Sequence, residues 1–267
     1  WSARRPSSIR WSESELNSLK KNFVLKQPLS ADLPFAEGYV LPIDKPLGWT
    51  SSDVVRKIKV MMRRLGHRKI KVGHAGTLDP LATGILIVCL GRATKQAEAL
   101  QAQPKEYLTT LALGATTPSF DMEHPVDRTF PYEHITRQML EEALRAMEGE
   151  QMQLPPVYSA KSIDGKRAYE YARQGTEVEM RRAPVTVYGM RLESFEPPRA
   201  TLRIRCSKGT YIRSIARDLG EKLGSGAYLT ALCRTRSGDF TLEDAYTLPQ
   251  VQGLLFPDPD GTEDVRR

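Results

Sequence analysis

Apolar and polar positions recur along the chain with the spacing of strands and helices, and they predict an interleaved series of both. Apolar or alternating runs predict strands near residues 39–43, 69–73, 84–90, 107–113, 185–195, 201–207 and 228–236. Helical spacing and capping residues predict helices over about 51–65, 93–100, 136–147, 166–174 and 211–223. Several connections are too short for the crossover between parallel neighbours. We therefore expect an α+β fold whose central sheet is mixed, largely antiparallel and flanked by helices.

Composition separates a folded body from two flanking segments. Residues 1–36 are interpreted as a flexible N-terminal arm, since the first twelve residues hold three arginines, four serines and no acid. The remnant of a transit peptide would have a similar composition, and we favour the arm. The body is predicted to span residues 37–250, with an irregular segment at 155–184. Residues 251–267 are expected to form a disordered tail, because its last dozen residues are mostly polar.

The formal net charge is +7, and the basic residues are concentrated in two groups. Eight basic residues and no acid lie between Asp53 and Asp79: Arg56, Lys57, Lys59, Arg63, Arg64, Arg68, Lys69 and Lys71. The second group is Arg203, Arg205, Lys208, Arg213 and Arg217. Both groups could be ordinary solvated faces. The alternative is a surface that follows the phosphates of a polyanion.

Membrane and metal chemistry find no support in the sequence. The longest apolar run, residues 85–90, is far shorter than the ~20 residues of a membrane span. The three cysteines show no C-x-x-C spacing, and the four histidines show no metal-ligand spacing. We therefore expect a cytoplasmic protein with reduced thiols, no bound metal and no membrane association.

The loop Gly73–Gly84 places one carboxylate, that of Asp79, between two apolar runs. Pro80 restricts the backbone of Asp79 to extended conformations, and the glycines permit tight turns or close approach by a ligand. An Asp-Pro pair more often forms a structural Asx-turn. A lone acid on a stiff loop is nevertheless a suitable catalytic group, because loops on rigid scaffolds carry much of enzyme chemistry.

Four segments together resemble the TruB-type tRNA pseudouridine synthases. These segments are Asp44–Ser51, Gly73–Gly84, Pro155–Ala160 and Lys208–Ser214. They follow the order found in that family, and the resemblance runs from about residue 38 to residue 248. It implies a pseudouridine-synthase fold in which residues 155–184 are an RNA-clamping insertion. Only 27 residues follow Phe240, too few for the PUA domain of many bacterial relatives, so none is expected.

The resemblance implies isomerisation of a uridine in the T loop of tRNA, position 55, to pseudouridine. That reaction breaks the N1–C1′ bond and forms a C5–C1′ bond, and it requires no metal or cofactor. The uridine must leave the stacked loop to be reached. Asp79 matches the catalytic aspartate of the family. A carboxylate can act as nucleophile at C1′ or as base at C2′, and both roles remain open.

Three further matches concern the direct surroundings of this carboxylate. By resemblance, Arg213 pairs with Asp79, which would keep the carboxylate ionised and oriented. Tyr107 matches the aromatic residue that stacks on the flipped base. Tyr211 matches the second tyrosine of the family's active site. Without the resemblance, each would read as an ordinary core or surface residue.

The remaining matches concern the RNA and the walls of the site. His74 matches the histidine that enters the RNA loop and stabilises its opened form. Leu232 matches an apolar pocket residue, and Lys45 is expected to support the loop or a phosphate. In residues 155–184 basic and aromatic side chains alternate, which suits contact with RNA. The expected partner is the T arm of tRNA, bound by a monomer.

Two other functions are considered. An RNA chaperone that binds the tRNA elbow would not need the catalytic residues, yet all of them are present. A hydrolase that cleaves the glycosidic bond would need paired carboxylates. The motif supplies only Asp79, and Asp44, Asp53 and Asp121 lack an equivalent context.

Overall fold

The computed structural model describes residues 28–158, 162–163, 166–167 and 180–257 of the 267-residue chain. The strands in these residues are β1 (Tyr39–Lys45), β2 (Val72–Ala75), β3 (Ala82–Leu90), β4 (Lys105–Leu113), β5 (Ala115–Thr116), β6 (Arg128–Thr129), β7 (Gly149–Gln153), β8 (Ser162–Ile163), β9 (Lys166–Arg167), β10 (Ala183–Glu196), β11 (Arg199–Cys206), β12 (Ala227–Ser237) and β13 (Phe240–Thr241). The α-helices are α1 (Ser51–Arg64), α2 (Ala97–Ala102), α3 (Arg137–Arg145), α4 (Ile212–Lys222) and α5 (Leu248–Leu255). Two 3₁₀ helices cover Gly91–Gln96 and Leu242–Asp244.

Nine of these strands form one sheet, whose path runs β1-β3-β12-β4-β11-β10-β7, with β2 on β3 and β13 on β12. Each of these pairs is antiparallel except β3 and β12, which run parallel. The expected α+β fold with a mixed, largely antiparallel sheet is confirmed. β12 comes late in the chain but lies between β3 and β4, near the middle of the sheet.

The apolar run of β3 is continuous because both faces of this strand are covered. Its alternate residues divide between two apolar clusters. Leu86, Val88 and Leu90 join the larger cluster, which also contains the buried face of α1. Ile85, Ile87 and Cys89 join the smaller cluster, beside Leu100 of α2. In β4 only every second residue is buried, as expected of a strand with one polar face.

The sheet and α1 together position the loop between β2 and β3. The hydroxyl of Thr50 caps α1 by accepting a hydrogen bond from the Asp53 amide, while the Asp53 carboxylate accepts one from the Thr50 amide. The helix therefore begins at Ser51, whose buried side chain contacts Leu78 of the loop. The end of β1, the start of α1 and the loop of Asp79 thus meet at one place.

Both predicted boundaries of the folded body lie too far inside the chain. Residues 1–27 fall outside the described residues, but 28–36 pack on the body, because Phe35 is fully buried and contacts the rings of Tyr39 and His67. At the other end, α5 crosses the predicted boundary at residue 251, because Val251 and Leu255 are buried. Residues 258–267 fall outside the described residues.

The predicted helix at 166–174 is wrong at its start, because residues 166–167 form β9 and pair with β8. The rest of that predicted helix lies outside the described residues. The pattern also missed β7, which pairs with β10 at the edge of the sheet. Its sequence contains two glutamines and a glutamate and is mostly exposed, so it lacks the apolar alternation that marks a half-buried strand.

Candidate active site

Asp79 lies at the tip of the loop between β2 and β3, with a side chain that is 37% exposed. The loop is tied to α1 through Ser51. Its hydroxyl accepts a hydrogen bond from the Leu78 amide at 2.9 Å and donates one to the Leu78 carbonyl at 3.2 Å. The amide of Gly48 donates to the carbonyl of Pro80 at 2.9 Å. The backbone on both sides of Asp79 is therefore restrained while its carboxylate stays accessible.

Two buried basic side chains, those of Arg234 and Lys45, donate hydrogen bonds to backbone carbonyls of this loop and of the segments next to it. Arg234 donates from Nη2 to the Gly76 carbonyl at 3.0 Å and from Nε to the Ile85 carbonyl at 2.7 Å. Lys45 donates from Nζ to the carbonyls of Trp49 and Pro80, at 2.6 and 3.4 Å. Burial lowers the pKa of Lys45 to about 8, and the nearby Asp79 opposes that shift. Lys45 is fully buried, so it supports the loop and is not accessible to a phosphate.

Arg213 of α4 forms the ion pair with Asp79 that the resemblance implies. Its Nε lies 2.9 Å from Asp79 Oδ2, although the N–H is not aligned for a hydrogen bond. The arginine side chain is only 4% exposed. A guanidinium is planar and rigid, so an arginine held in this buried position fixes the direction of the carboxylate beside it.

Asp121 also belongs to this cluster, contrary to the expectation from sequence. Its Oδ2 lies 3.7 Å from Arg213 Nε, and its side chain is 10% exposed. The same guanidinium donates from Nη1 to the carbonyl of Ser119 at 3.2 Å. Arg213 therefore has two carboxylates near its Nε and is oriented by the loop that contains Asp121.

An unusual turn brings Asp121 to this place. Phe120 has a φ of 61°, a left-handed conformation that is uncommon for residues other than glycine. The turn is held by hydrogen bonds from the Thr117 hydroxyl to the Asp121 carbonyl and from the Phe120 amide to the Thr117 carbonyl. Arg217, one helical turn after Arg213, lies over the Phe120 ring at 5.2 Å. No local sequence signal distinguishes this turn, because its conformation depends on contacts with α4.

A cavity of about 280 Å³ opens beside the ion pair. Asp79 and Arg213 form part of its wall, and it is also lined by Tyr107, Tyr211 and Leu232. Five of the seven predicted site residues are therefore brought together around one space. Tyr107 is buried, and this burial raises the pKa of its hydroxyl, so the ring is neutral at pH 7.

A second cavity, of about 370 Å³, reaches the same ion pair and is mostly apolar. Asp79, Arg213 and Leu232 line both cavities, whereas Asp121 lines only the second. The ion pair therefore separates two spaces of different character. The first is bordered by tyrosines and the second mainly by aliphatic side chains.

His74 lies on β2, opposite Val88 of β3, and does not line either of these two cavities. Its ring is partly buried, and this burial together with the charge of Arg234 lowers the pKa of the imidazole. The ring is therefore neutral at pH 7 in the free protein. The structure does not bring His74 into the cavity wall beside Asp79.

Within the described ranges, no group of three or more His, Cys, Asp or Glu side chains is arranged to hold a metal ion. None of the helices in those ranges has the length and apolar character needed to cross a membrane.

Two family descriptions match consecutive parts of the chain. Residues 63–212 match the N-terminal domain of the TruB family pseudouridylate synthases. Residues 213–265 match the C-terminal domain of tRNA pseudouridylate synthase B. The first match alone covers more than half of the chain.

Curated relatives are similar over most of their length. The tRNA pseudouridine synthase B of Phocaeicola vulgatus is 55% identical over 215 residues, which are 80% of this chain and 92% of that protein. The corresponding protein of Parabacteroides distasonis is 50% identical over 224 residues, covering 84% of this chain and 95% of the relative.

Solved structures share the fold. A chain from the crystal structure of a Cbf5–Nop10–Gar1 complex superposes with a TM-score of 0.66 at 30% identity, over 88% of this chain and 60% of that one. An H/ACA ribonucleoprotein bound to a substrate RNA containing 2′-deoxyuridine gives a TM-score of 0.61 at 29% identity, over 84% of this chain and 56% of that one. The chain thus spans less than two thirds of these neighbours. With the family matches and the relatives, these findings establish that the chain belongs to the TruB family of tRNA pseudouridine synthases, isomerases that convert uridine in tRNA to pseudouridine.

Proposed function

We propose that this enzyme isomerises a uridine of the T loop of tRNA, position 55, and that Asp79 is its catalytic carboxylate. The observation that carries the proposal is the Asp79–Arg213 ion pair in the wall of a cavity bordered by Tyr107 and Tyr211. The cavity can accept one uracil base only after that base has left the stacked loop.

Each wall residue has a distinct part in this proposal. The buried ring of Tyr107 stacks on the flipped base, and Leu232 closes the apolar side. Arg213 holds the Asp79 carboxylate directed into the cavity, which is the placement needed both for attack at C1′ and for removal of the C2′ proton. His74 lies outside the cavity wall, as expected for a side chain that contacts the opened RNA loop rather than the reacting base.

The test of this assignment is Asp79→Asn, which keeps the side-chain shape and removes the charge. We expect no pseudouridine at position 55 of a tRNA transcript, while the tRNA dissociation constant stays within threefold of wild type. The matched control is Asp127→Asn, an exposed carboxylate that accepts a hydrogen bond from Thr116. Activity of Asp79→Asn within tenfold of wild type would contradict the assignment of Asp79.

The products of the same assay distinguish isomerisation from hydrolysis of the glycosidic bond. Isomerisation leaves the mass of the tRNA unchanged, whereas hydrolysis releases uracil and leaves an abasic site. Asp121 supplies a second carboxylate near Asp79, but both lie beside one guanidinium instead of flanking a bond. We therefore expect intact tRNA mass and pseudouridine after digestion to nucleosides.

Three further expectations accompany this function. The T arm is the part of the tRNA that is bound, the enzyme acts as a monomer, and it works in the cytoplasm. The alternative function is that of an RNA chaperone, and the Asp79→Asn variant distinguishes it from the enzyme. A chaperone would still promote tRNA folding in this variant, so tRNA folding and pseudouridine content should be measured on the same samples.

A further inference from the structure

The side-chain amide of Gln153 binds both backbone polar groups of Tyr211. Its Oε1 accepts a hydrogen bond from the Tyr211 amide at 2.8 Å, and its Nε2 donates to the Tyr211 carbonyl at 3.1 Å. The side-chain amide of Gln153 thus forms the same two hydrogen bonds with Tyr211 that a residue of a neighbouring β-strand would form. Gln153 is only 2% exposed, so water cannot readily replace either bond.

This pair restrains the start of the helix that carries the active-site arginine. Tyr211 is the residue before α4, and its own side chain makes no capping hydrogen bond. The free amides at a helix start need partners, and Gln153 supplies the one for Tyr211. Arg213 follows two residues later, so the positions of Tyr211 and Arg213 both depend on where Gln153 holds the backbone.

The next residue along the chain strengthens the same junction. The carbonyl of Leu154 accepts hydrogen bonds from the hydroxyl of Ser214 at 2.8 Å and from Nη2 of Arg217 at 3.2 Å. Four hydrogen bonds therefore join residues 153–154 to Tyr211 and to the first two turns of α4. Gln153 is also the last residue of β7, where it pairs with Ala183 of β10.

The end of β7 is also where the segment at 155–184 begins. The segment leaves the sheet after Gln153 and returns at Ala183, so its two ends are held side by side. The Gln153 side chain does not line either cavity at Asp79. Both hydrogen bonds of this side chain run to Tyr211, so they connect Gln153 to the site through Tyr211 and α4.

We propose that Gln153 is a positioning residue that joins the end of β7 to the start of α4 and thereby holds Tyr211 and Arg213 in place against Asp79. The proposal rests on the function proposed above. Small displacements of groups around a reacting centre reduce rates strongly, by about 10²-fold for 1 Å. The junction therefore acts on the rate of isomerisation rather than on RNA affinity.

The main test is Gln153→Met, which keeps the length of the side chain and removes both hydrogen bonds. Single-turnover rates with saturating enzyme should fall at least tenfold, while the tRNA dissociation constant stays within threefold of wild type. The matched control is Gln151→Met on the same strand, because the Gln151 amide donates only to the Met147 carbonyl. Its rate should stay within twofold of wild type. A Gln153→Met rate within threefold of wild type would overturn the proposal, and so would a loss that appears entirely in binding.

A second variant keeps the test decisive if Gln153→Met does not fold. Gln153→Glu preserves the acceptor toward the Tyr211 amide, but the ionised carboxylate cannot donate to the Tyr211 carbonyl. Burial raises the pKa of a carboxyl group, and the protonated form can donate again. The rate deficit relative to wild type at the same pH should therefore shrink between pH 8 and pH 5.5. A deficit that does not change with pH would count against a role for this hydrogen bond.

A double-mutant cycle tests the route through Tyr211. If Gln153 acts by placing Tyr211, the rate losses of Gln153→Met and Tyr211→Ala should not multiply in the combined variant. Losses that multiply would show that Gln153 acts independently of Tyr211. A wild-type enzyme that makes no pseudouridine would instead contradict the proposed function, so the two failures are distinguishable.

Discussion

Arg213 is the residue on which the site depends most, because it contacts the backbone of Ser119 and lies beside two carboxylates. A lysine has a single ammonium group and cannot occupy these positions together. We expect Arg213→Lys to lower the single-turnover rate by more than tenfold, which corresponds to ~1.4 kcal/mol of transition-state stabilisation. The control is Arg137→Lys, an exposed arginine paired with Glu141. A rate equal to wild type would mean that Arg213 does not orient Asp79.

Asp121 should affect the rate through Arg213. Asp121→Asn keeps the size of the side chain but removes the second carboxylate charge near Arg213 Nε. We expect a rate loss of about three- to tenfold, smaller than that of Asp79→Asn, because Asp121 does not line the cavity with the tyrosines. Single-turnover kinetics of Asp121→Asn, Arg213→Lys and the combined variant measure it. Independent, multiplying losses would contradict this coupling.

The residues of the site could be predicted to different degrees. Asp79, Tyr211 and Arg213 were found because each lies in one of the four segments that carry the resemblance. Tyr107 was matched to the family outside those segments, and the structure brings it together with the other three. Asp121 could not be found, because its place depends on a left-handed Phe120 and on contacts with α4 that no local pattern encodes. Gln153 was missed for the same reason: its role exists only where β7 meets the start of α4.

At the scale of elements, periodicity identified the long strands and helices because each has a buried face. β4 and α1 are examples, with regular burial along one side. β7 was missed because it is polar and exposed. The strand order could not be predicted, since the insertion of β12 between β3 and β4 depends on contacts between distant parts of the chain.

The parallel pair of β3 and β12 should be intolerant of any side chain at Gly84. Gly84 has a φ of +94°, and an added Cβ would lie 2.8 Å from the backbone nitrogen of Arg234. We expect Gly84→Ala to lower the free energy of unfolding by about 2 kcal/mol or more, measured by urea unfolding. Gly48→Ala is the matched control, because Gly48 also has a positive φ but nothing lies within 4 Å of an added Cβ. Equal costs for the two variants would show that the close approach to β12 is unimportant.

For the whole molecule, the prediction concerns how it holds RNA. The run of eight basic residues between Asp53 and Asp79 lies in the folded body, much of it on α1, and leads to the loop of Asp79. We expect strongly salt-dependent tRNA binding, with ~0.7–0.9 added to the slope of log affinity against log salt for each neutralised phosphate. A chain beginning at Pro28 should show nearly the same slope as the full chain. This start keeps Phe35, which is part of the core.

The measurement is filter binding of T-arm RNA over a salt series with both chains. Loss of most of the slope on removal of residues 1–27 would make that segment the principal contact with RNA. The tRNA dissociation constant and the rate of isomerisation should be measured on the same preparations, so that a change in affinity is not mistaken for a change in chemistry.

The central position of β12 has a consequence for the order in which the protein can be completed during synthesis. Until residues 227–237 leave the ribosome, β3 and β4 have no partner between them, and Arg234 is absent from beneath the loop of Asp79. A nascent chain ending at residue 212 would expose two unpaired strand edges, which favours aggregation. The border between the two matched family regions, at 212 and 213, is therefore not a boundary between folding units. The enzyme becomes able to act only after residues 227–237 have been translated.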